Sequence, residues 1–284
     1  MKVVDTPQDM RELAEVLRRG DAPLGLVPTM GALHEGHKSL ITRAMDECGA
    51  LIVSIFVNPA QFAAGEDYDT YPRTYHADLE ACREMGVACV YAPKANSMYP
   101  GGYDTWVDVP GLGAPLCGAH RTGHFRGVAT VVLKLFTACL PHRAYFGEKD
   151  YQQLVLIRRM ADDLDLGVKI VPCPIVREDD GVALSSRNAY LSADERSRAR
   201  AISGALFDAK KTVAAGERFS AAIIQSCVDE LEKAGSRVDY VEIVDPATLE
   251  RVETINGAAR MAVAAYIGET RLIDNILLEP DDEA

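Results

Sequence analysis

The sequence predicts an α/β chain in which a doubly wound parallel sheet is followed by a smaller α+β domain. Two observations carry this. Through the first 175 residues, apolar runs of strand length alternate with stretches of helical spacing, and residues 50–57 (Ala-Leu-Ile-Val-Ser-Ile-Phe-Val) are apolar at nearly every position. Such a run fits a strand covered on both faces, as parallel strands between helices are. After Val176 the order changes to two long helices and then three strands, the pattern of an α+β layer.

The elements follow in order. Thr6, Pro7 and Asp9 place an N-cap, a first-turn proline and an acid ahead of Met10, Leu13, Val16 and Leu17, so the first helix starts there and closes by Gly20. Residues 24–27 read as a short buried strand, and residues 38–45 take up helical spacing with Leu40, Ile41 and Met45 apolar. The strand over residues 50–57 ends at Asn58-Pro59, a turn. A helix over 75–85 and a strand over 87–91 complete a set of βαβ units, which puts ligands at the carboxyl ends of the strands. Residues 92–127 are rich in Gly and Pro and read as a long irregular segment, a length that in a compact domain is functional or holds small extra elements. A helix over 128–140, a strand over 144–146, a helix over 151–164 and a strand over 168–171 restore the pattern. Ser192-Ala193-Asp194-Glu195 is a capping box opening a helix to about residue 215, and a second helix spans 220–234. Strands over 238–244, 261–267 and 272–278 follow, and residues 279–284 form an acidic tail. The expected organisation is a Rossmann-like domain over residues 1–175 and a smaller α+β domain over residues 176–284.

With 284 residues, 48% of them hydrophobic, the chain can build a sizeable core. Its net charge of −12 argues against nucleic acid or an acidic membrane surface as partner. An anionic ligand must instead meet a local cluster of cations. The seven cysteines (Cys48, Cys82, Cys89, Cys117, Cys139, Cys173, Cys227) are scattered, with no Cys-x-x-Cys pair, which fits free thiols in a reducing cytoplasm. No apolar stretch reaches the ~18 residues of a membrane span, and the N-terminus lacks a signal-peptide pattern.

The chemistry concentrates between the first long strand and its helix. Val27-Pro28-Thr29-Met30-Gly31-Ala32-Leu33-His34-Glu35-Gly36-His37 reads as strand, glycine-bearing turn and helix, an arrangement that brings backbone N–H groups and a helix dipole to an anion. His34 and His37 are three apart, so on a first helical turn they share a face and can both donate to phosphate oxygens. A zinc protease needs its histidines four apart, which this spacing excludes. The outline is that of a nucleoside triphosphate site; the alternative is a pair of histidines that cap a βα loop with no ligand. Asn58 and Gln61 follow the next buried strand and either form a simple turn, the better reading of this motif alone, or offer amide groups to a small polar substrate. His120 to Gly127 is the densest run of cationic and titratable side chains, and reads either as an anion-binding lip or as a solvated loop tip. Gly147-Glu148-Lys149-Asp150 is again a strand-to-helix passage, where a phosphate would compensate the lysine; Asp150 either accepts from ribose hydroxyls or caps the next helix. Gln153 lies one turn further on. Leu184-Ser185-Ser186-Arg187-Asn188 reads as a phosphate clamp or an ordinary turn.

Taken together, the blocks over residues 28–37, 56–62 (Phe-Val-Asn-Pro-Ala-Gln-Phe), 71–73 (Tyr-Pro-Arg), 123–128 (Gly-His-Phe-Arg-Gly-Val), 146–153 (Phe-Gly-Glu-Lys-Asp-Tyr-Gln-Gln) and 184–188 resemble, in order, the signature blocks of the pantoate–β-alanine ligase (pantothenate synthetase) family, within the wider HxGH nucleotidyltransferases. The resemblance runs from about Thr6 to Leu278. It implies an AMP-forming ligase that makes pantoyl adenylate and pyrophosphate from ATP and pantoate, then pantothenate and AMP on attack by β-alanine. It carries over ATP contacts at Met30, Gly31, Ala32, Leu33, His34, Glu35, Gly36, His37, Gly147, Glu148, Lys149, Asp150, Val176, Leu184, Ser185, Ser186 and Arg187. Pantoate contacts fall at Gln61 and Gln153, with Asn58 beside them, and catalytic roles at His37, His34, Lys149 and Arg187. The resemblance also implies Mg²⁺ held largely by phosphate oxygens and water, with no protein ligand assigned, and a homodimer. Because residues 184–187 lie beyond the domain boundary and both histidines before it, phosphates bridging them are expected to draw the C-terminal domain closed over the site.

Overall fold

Six parallel strands run through the first part of the chain: β1 (Lys2–Val4), β2 (Leu24–Thr29), β3 (Ala50–Ile55), β4 (Cys89–Tyr91), β5 (Arg143–Gly147) and β6 (Lys169–Cys173). They form one sheet in the order β1-β4-β3-β2-β5-β6. The structure is a computed structural model, and it describes residues 1–63 and 65–280. Of the expected acidic tail, residues 281–284 lie outside the described residues.

Helices α1 (Pro7–Leu17), α2 (Glu35–Glu47), α3 (Tyr75–Glu84), α7 (His124–Cys139) and α8 (Tyr151–Asp163) connect these strands. Thr6 caps α1 by accepting from the Asp9 N–H, and Pro7 occupies its first turn, as the sequence requires. Val27, Val53, Val90 and Val171 pack with Ile41, Ala44 and Cys82 in one core layer. This explains the unbroken apolar runs. β2 is the strand at which the order reverses: β3 and β4 lie to one side, β5 and β6 to the other. Its pairing with β3 continues to Thr29↔Ile55, but its pairing with β5 stops at Leu26↔Ala144. β2 and β5 therefore lose contact before their carboxyl ends, which leaves a crevice of the kind doubly wound sheets use for ligands. Pro28, which has no N–H for a ladder, lies just past the last rung shared with β5.

Three features differ from the sequence reading. β1 is a short edge strand paired in parallel with β4, too short for periodicity to reveal. The irregular segment over 92–127 contains α4 (Ala95–Met98), α5 (Pro110–Gly113) and α6 (Cys117–His120). Helix α7 begins at His124, not Val128, with Gly123 as its left-handed N-cap at φ 81°.

The rest of the chain holds α9 (Ala193–Ala214), α10 (Ser220–Lys233) and an antiparallel sheet of β7 (Arg237–Val244), β8 (Ala259–Ile267) and β9 (Thr270–Leu278). Ser192 and Glu195 form the capping box of α9. Ile202, Leu206, Val213, Ile223 and Leu231 pack on Met261, Val263 and Ile267 to make a separate core. The chain resolves into two compact units, and the partition is not a single cut at residue 175. The second unit comprises residues 175–284 together with residues 114–119 and 149–152. Gln152 explains part of this, since its Nε2 donates to the Pro115 carbonyl (2.7 Å) and its Oε1 accepts from the Cys117 N–H (3.1 Å). Asn275 on β9 donates to the Lys149 carbonyl at 3.0 Å and holds that segment in place.

Candidate active site

The turn after β2 is built by glycine geometry and by a buried acid. Gly31 has φ 84°, and a Cβ there would lie 3.0 Å from Asp78 Oδ2. Asp78 is 3% exposed, projects from α3, and accepts from the N–H groups of Ala32 (3.0 Å) and Leu33 (2.9 Å). The Thr29 hydroxyl accepts from the Gly31 N–H at 3.1 Å and donates to the Ser54 carbonyl at 2.7 Å, tying the turn to β3.

His34 and His37 then open α2 as a reciprocal capping box. His34 Nδ1 accepts from the Gly36 N–H (3.2 Å), and His37 Nδ1 accepts from the His34 N–H (3.3 Å). This explains the three-residue spacing, because N-cap and N3 are the two positions that can cap each other. An Nδ1 that accepts carries no proton, so each neutral ring holds its proton on Nε2 as a donor. The two rings lie 4.0 Å apart between centroids. The backbone N–H groups of Gly31, Ala32, Leu33, His34 and Gly36 thus all have acceptors inside the protein. The sequence reading gave those N–H groups to an anion; in the structure each already donates within the protein.

Asn58 and Gln61 follow β3 in a 3₁₀ turn, Pro59–Gln61, and both are buried. Asn58 Nδ2 donates to Gln61 Oε1 (3.0 Å) and to the Gly127 carbonyl (3.2 Å), while its Oδ1 accepts from the Ala60 N–H (3.3 Å) and the Tyr99 hydroxyl (2.8 Å). All these groups of Asn58 have protein partners, so it orients Gln61. Gln61 Nε2 faces Met30 Sδ at 3.2 Å, which joins this turn to the histidine turn. Gly127 makes the arrangement possible: a Cβ there would stand 2.1 Å from the Ala60 carbonyl oxygen.

In the His120–Gly127 run, Arg121 and His124 are engaged within the protein, while His120 and Arg126 are exposed. Arg121 forms a two-pronged pair with Glu66 (2.6 and 2.7 Å), and His124 Nδ1 lies 2.7 Å from the Gln61 carbonyl, to which Arg121 also donates. Burial acts to raise the Glu66 carboxyl, but the hydrogen bonds and charge of Arg121 outweigh it and hold the group below its ordinary value. Arg126 stacks over Trp106 at 5.1 Å.

Of the remaining sequence candidates, Gly147 ends β5 and Glu148 opens the 3₁₀ turn after it, both in the first unit, and Gln153 is half-buried in the first turn of α8. Lys149 and Asp150 belong to the second unit, with Val176 and Leu184 to Arg187. There, Leu184 N–H donates to the Val176 carbonyl (3.0 Å), closing a hairpin-like turn over 176–184. Arg196 on α9 grips Asp180 in that turn (2.8 Å), and Asn188 donates to the Ala183 carbonyl. Ser185 caps the 3₁₀ turn Ser186–Tyr190 by accepting from the Arg187 N–H. Lys149, Ser185, Asn188 and Asp274 share one recess of this unit. Among the described residues no group of three or more His, Cys, Asp or Glu is placed to hold a metal ion, and no helix is long and apolar enough to cross a membrane.

Two comparisons decide the family. A sequence profile of the family described as Pantoate-beta-alanine ligase matches residues 2–277. The pantothenate synthetase of Thermotoga neapolitana is 47% identical over 279 residues, 98% of this chain and 100% of its own length. The chain belongs to the pantoate–β-alanine ligase family. Oleidesulfovibrio alaskensis has a pantothenate synthetase 48% identical over 281 residues, spanning 98% of this chain and 100% of its own. The solved pantothenate synthetase of Thermus thermophilus superposes with a TM-score of 0.93 at 44% identity, covering 99% and 100% of the two chains. The Francisella tularensis ligase, solved as a complex with β-γ ATP and β-alanine, gives a TM-score of 0.83 at 34% identity over 98% and 97%. As in those ligases, the fold is α/β with a smaller C-terminal part.

The sequence reading did not single out Asp78, which holds the histidine turn, or Tyr99, which holds Asn58. Asp78 had a readable signal: it stands four residues before Cys82 on α3, and both lie on the buried face. Tyr99 carried none, because Asn58, the partner of its hydroxyl, lies 41 residues away.

Proposed function

We infer that this chain condenses pantoate with β-alanine in two steps. The pantoate carboxylate attacks the α-phosphorus of ATP, and pyrophosphate leaves. The β-alanine amine then attacks the acyl carbon of the pantoyl adenylate, giving pantothenate and AMP. No side-chain nucleophile is needed, because the mixed anhydride already activates the acyl group. The reading is carried by the reciprocal capping of His34 and His37 at the switch point, which presents two Nε2–H donors from fixed rings. In the first step charge builds on the phosphate oxygens, and His37 and His34 meet it with Lys149 and Arg187. Met30 to His37, Gly147 to Asp150, Val176 and Leu184 to Arg187 contact ATP. Gln61 and Gln153 contact pantoate; Asn58 acts through Gln61. Mg²⁺ would screen the triphosphate charge. It would be held largely by phosphate oxygens and water.

The enzyme is further proposed to work as a homodimer in the cytoplasm, a compartment that suits its seven free cysteines, six of them buried. The deciding experiment is pyrophosphate release from ATP and pantoate without β-alanine, followed by AMP release when β-alanine is added. Binding of ATP with no pyrophosphate release would overturn the ligase reading in favour of a nucleotide sensor.

A further inference from the structure

The hydrogen bonds that hold Gln61 extend beyond the residues assigned to the site. The Ala60 N–H can only donate and the Gly127 carbonyl can only accept, so the orientation of the Asn58 amide between them is forced. Its Nδ2 therefore faces Gln61, and Gln61 must turn Oε1 towards it and Nε2 away, towards Met30. The shortest bond on Asn58 Oδ1 comes from Tyr99, at 2.8 Å against 3.3 Å from Ala60.

Tyr99 is itself held on several sides. Its N–H closes α4 on the Ala95 carbonyl. Its ring stacks on Trp106 at 6.2 Å and meets Tyr103 edge-on at 5.1 Å. Lys134 on α7 lies over Tyr103 at 4.6 Å and over Tyr99 at 5.9 Å. Burial pushes the Tyr99 phenol well above its ordinary value, so the O–H remains a donor throughout the working pH range.

We propose that Tyr99 is a positioning residue for pantoate: it fixes Asn58 and, through Asn58, the amide of Gln61, so that Gln61 offers its Nε2–H donors to an oxygen of the bound acid. This rests on the reading of Gln61 as a pantoate contact. It also assigns a purpose to the long segment over 92–113, whose aromatic residues carry the hydroxyl to the end of β3. A donor aimed into the site favours a carboxylate or hydroxyl oxygen and disfavours a ligand that presents a donor there.

The test is Tyr99→Phe, which keeps the ring packing and removes only the hydroxyl. Losing one hydrogen bond on a buried acceptor should raise the KM for pantoate about three- to tenfold, with the KM for ATP within about twofold of wild type. In a Gln61→Ala background the same change should add nothing to pantoate KM, because its effect passes through Gln61. A purely structural role would give the same loss in both backgrounds, and that result would overturn the proposal. So would an unchanged KM in Tyr99→Phe when Gln61→Ala alone raises it. If Gln61→Ala itself leaves the pantoate KM unchanged, the placement of pantoate fails first and the role of Tyr99 with it.

Discussion

Gly127 sits inside α7, where glycine costs about 1 kcal/mol relative to alanine. The contact it permits accounts for it. Gly127→Ala would place a Cβ 2.1 Å from the Ala60 oxygen, 2.5 Å from its carbon and 2.8 Å from the Gln61 nitrogen, where real Cβ contacts stay above 3.0 Å. The helix or the turn must therefore yield by about 0.9 Å, the difference between 3.0 and 2.1 Å. All three atoms belong to backbone, so no rotamer change relieves the clash. The turn that moves carries Gln61, and the Gly127 carbonyl that moves holds Asn58. A displacement near 1 Å at a substrate-positioning group costs on the order of 10²-fold in rate, so kcat/KM for pantoate should fall by about that factor. Overpacking costs about 1–3 kcal/mol and the gain in helix propensity returns about 1 kcal/mol. At about 2–4 °C per kcal/mol the melting temperature should drop by at most about 8 °C, leaving the variant folded for assay. Steady-state kinetics with pantoate varied, alongside thermal unfolding followed by circular dichroism, would measure both. A folded Gly127→Ala enzyme with wild-type pantoate kinetics would refute the close-approach argument.

Three further outcomes are expected. His37→Ala should lower kcat by about 10²–10³-fold with a smaller effect on ATP affinity, since the donor acts mainly on developing charge; a near-normal kcat would remove His37 from the mechanism. Arg187→Ala should slow adenylation more than attack of β-alanine on preformed pantoyl adenylate, because pyrophosphate has left by then; single-turnover rates falling equally in both half-reactions would contradict this. The Glu66 carboxyl is held below its ordinary value of 4.5 by Arg121, so the ionised pair adds stability above that pH and loses it as pH falls through the lower folded value. The difference in unfolding midpoint between wild type and Glu66→Gln should therefore shrink on acidification below pH 4.5; a difference that persists at the acid end would rule the linkage out.

Much of the fold was legible because periodicity and termini agreed. The apolar runs became β2 to β6, and Thr6-Pro7 and Ser192–Glu195 marked helix starts that the structure places at Pro7 and Ala193. What escaped was either short or held from far away. β1 has three residues and one neighbour, and α4 to α6 span four residues each, below the length at which a period can be counted. Asp78 and Tyr99 reach the site from positions 46 and 41 residues distant from their partners. The domain boundary was read as one cut because composition changes once near Val176. The return of 114–119 and 149–152 to the second unit runs instead through single contacts that composition cannot flag: Asn275 on the Lys149 carbonyl, Tyr151 on the Pro246 carbonyl, and Cys117 beside Tyr240 and Arg271.

In the proposed reaction, chemistry and architecture share the residues of the histidine turn. A loop that left its N–H groups open would await the nucleotide to order it. This one has Asp78, Thr29 and the two imidazoles as acceptors, so its conformation is set before substrate arrives. Fixed donors need not reorganise as charge develops, and that is where electrostatic catalysis gains over water. The arrangement has a structural consequence. Each histidine occupies its Nδ1 in capping and thereby fixes the proton on Nε2, so the bond that orders the helix also selects the tautomer. Serine and glutamate would cap the helix equally well but present no ring N–H, and histidines four apart would lose the reciprocal cap. The three-residue spacing is the one that satisfies helix and chemistry together.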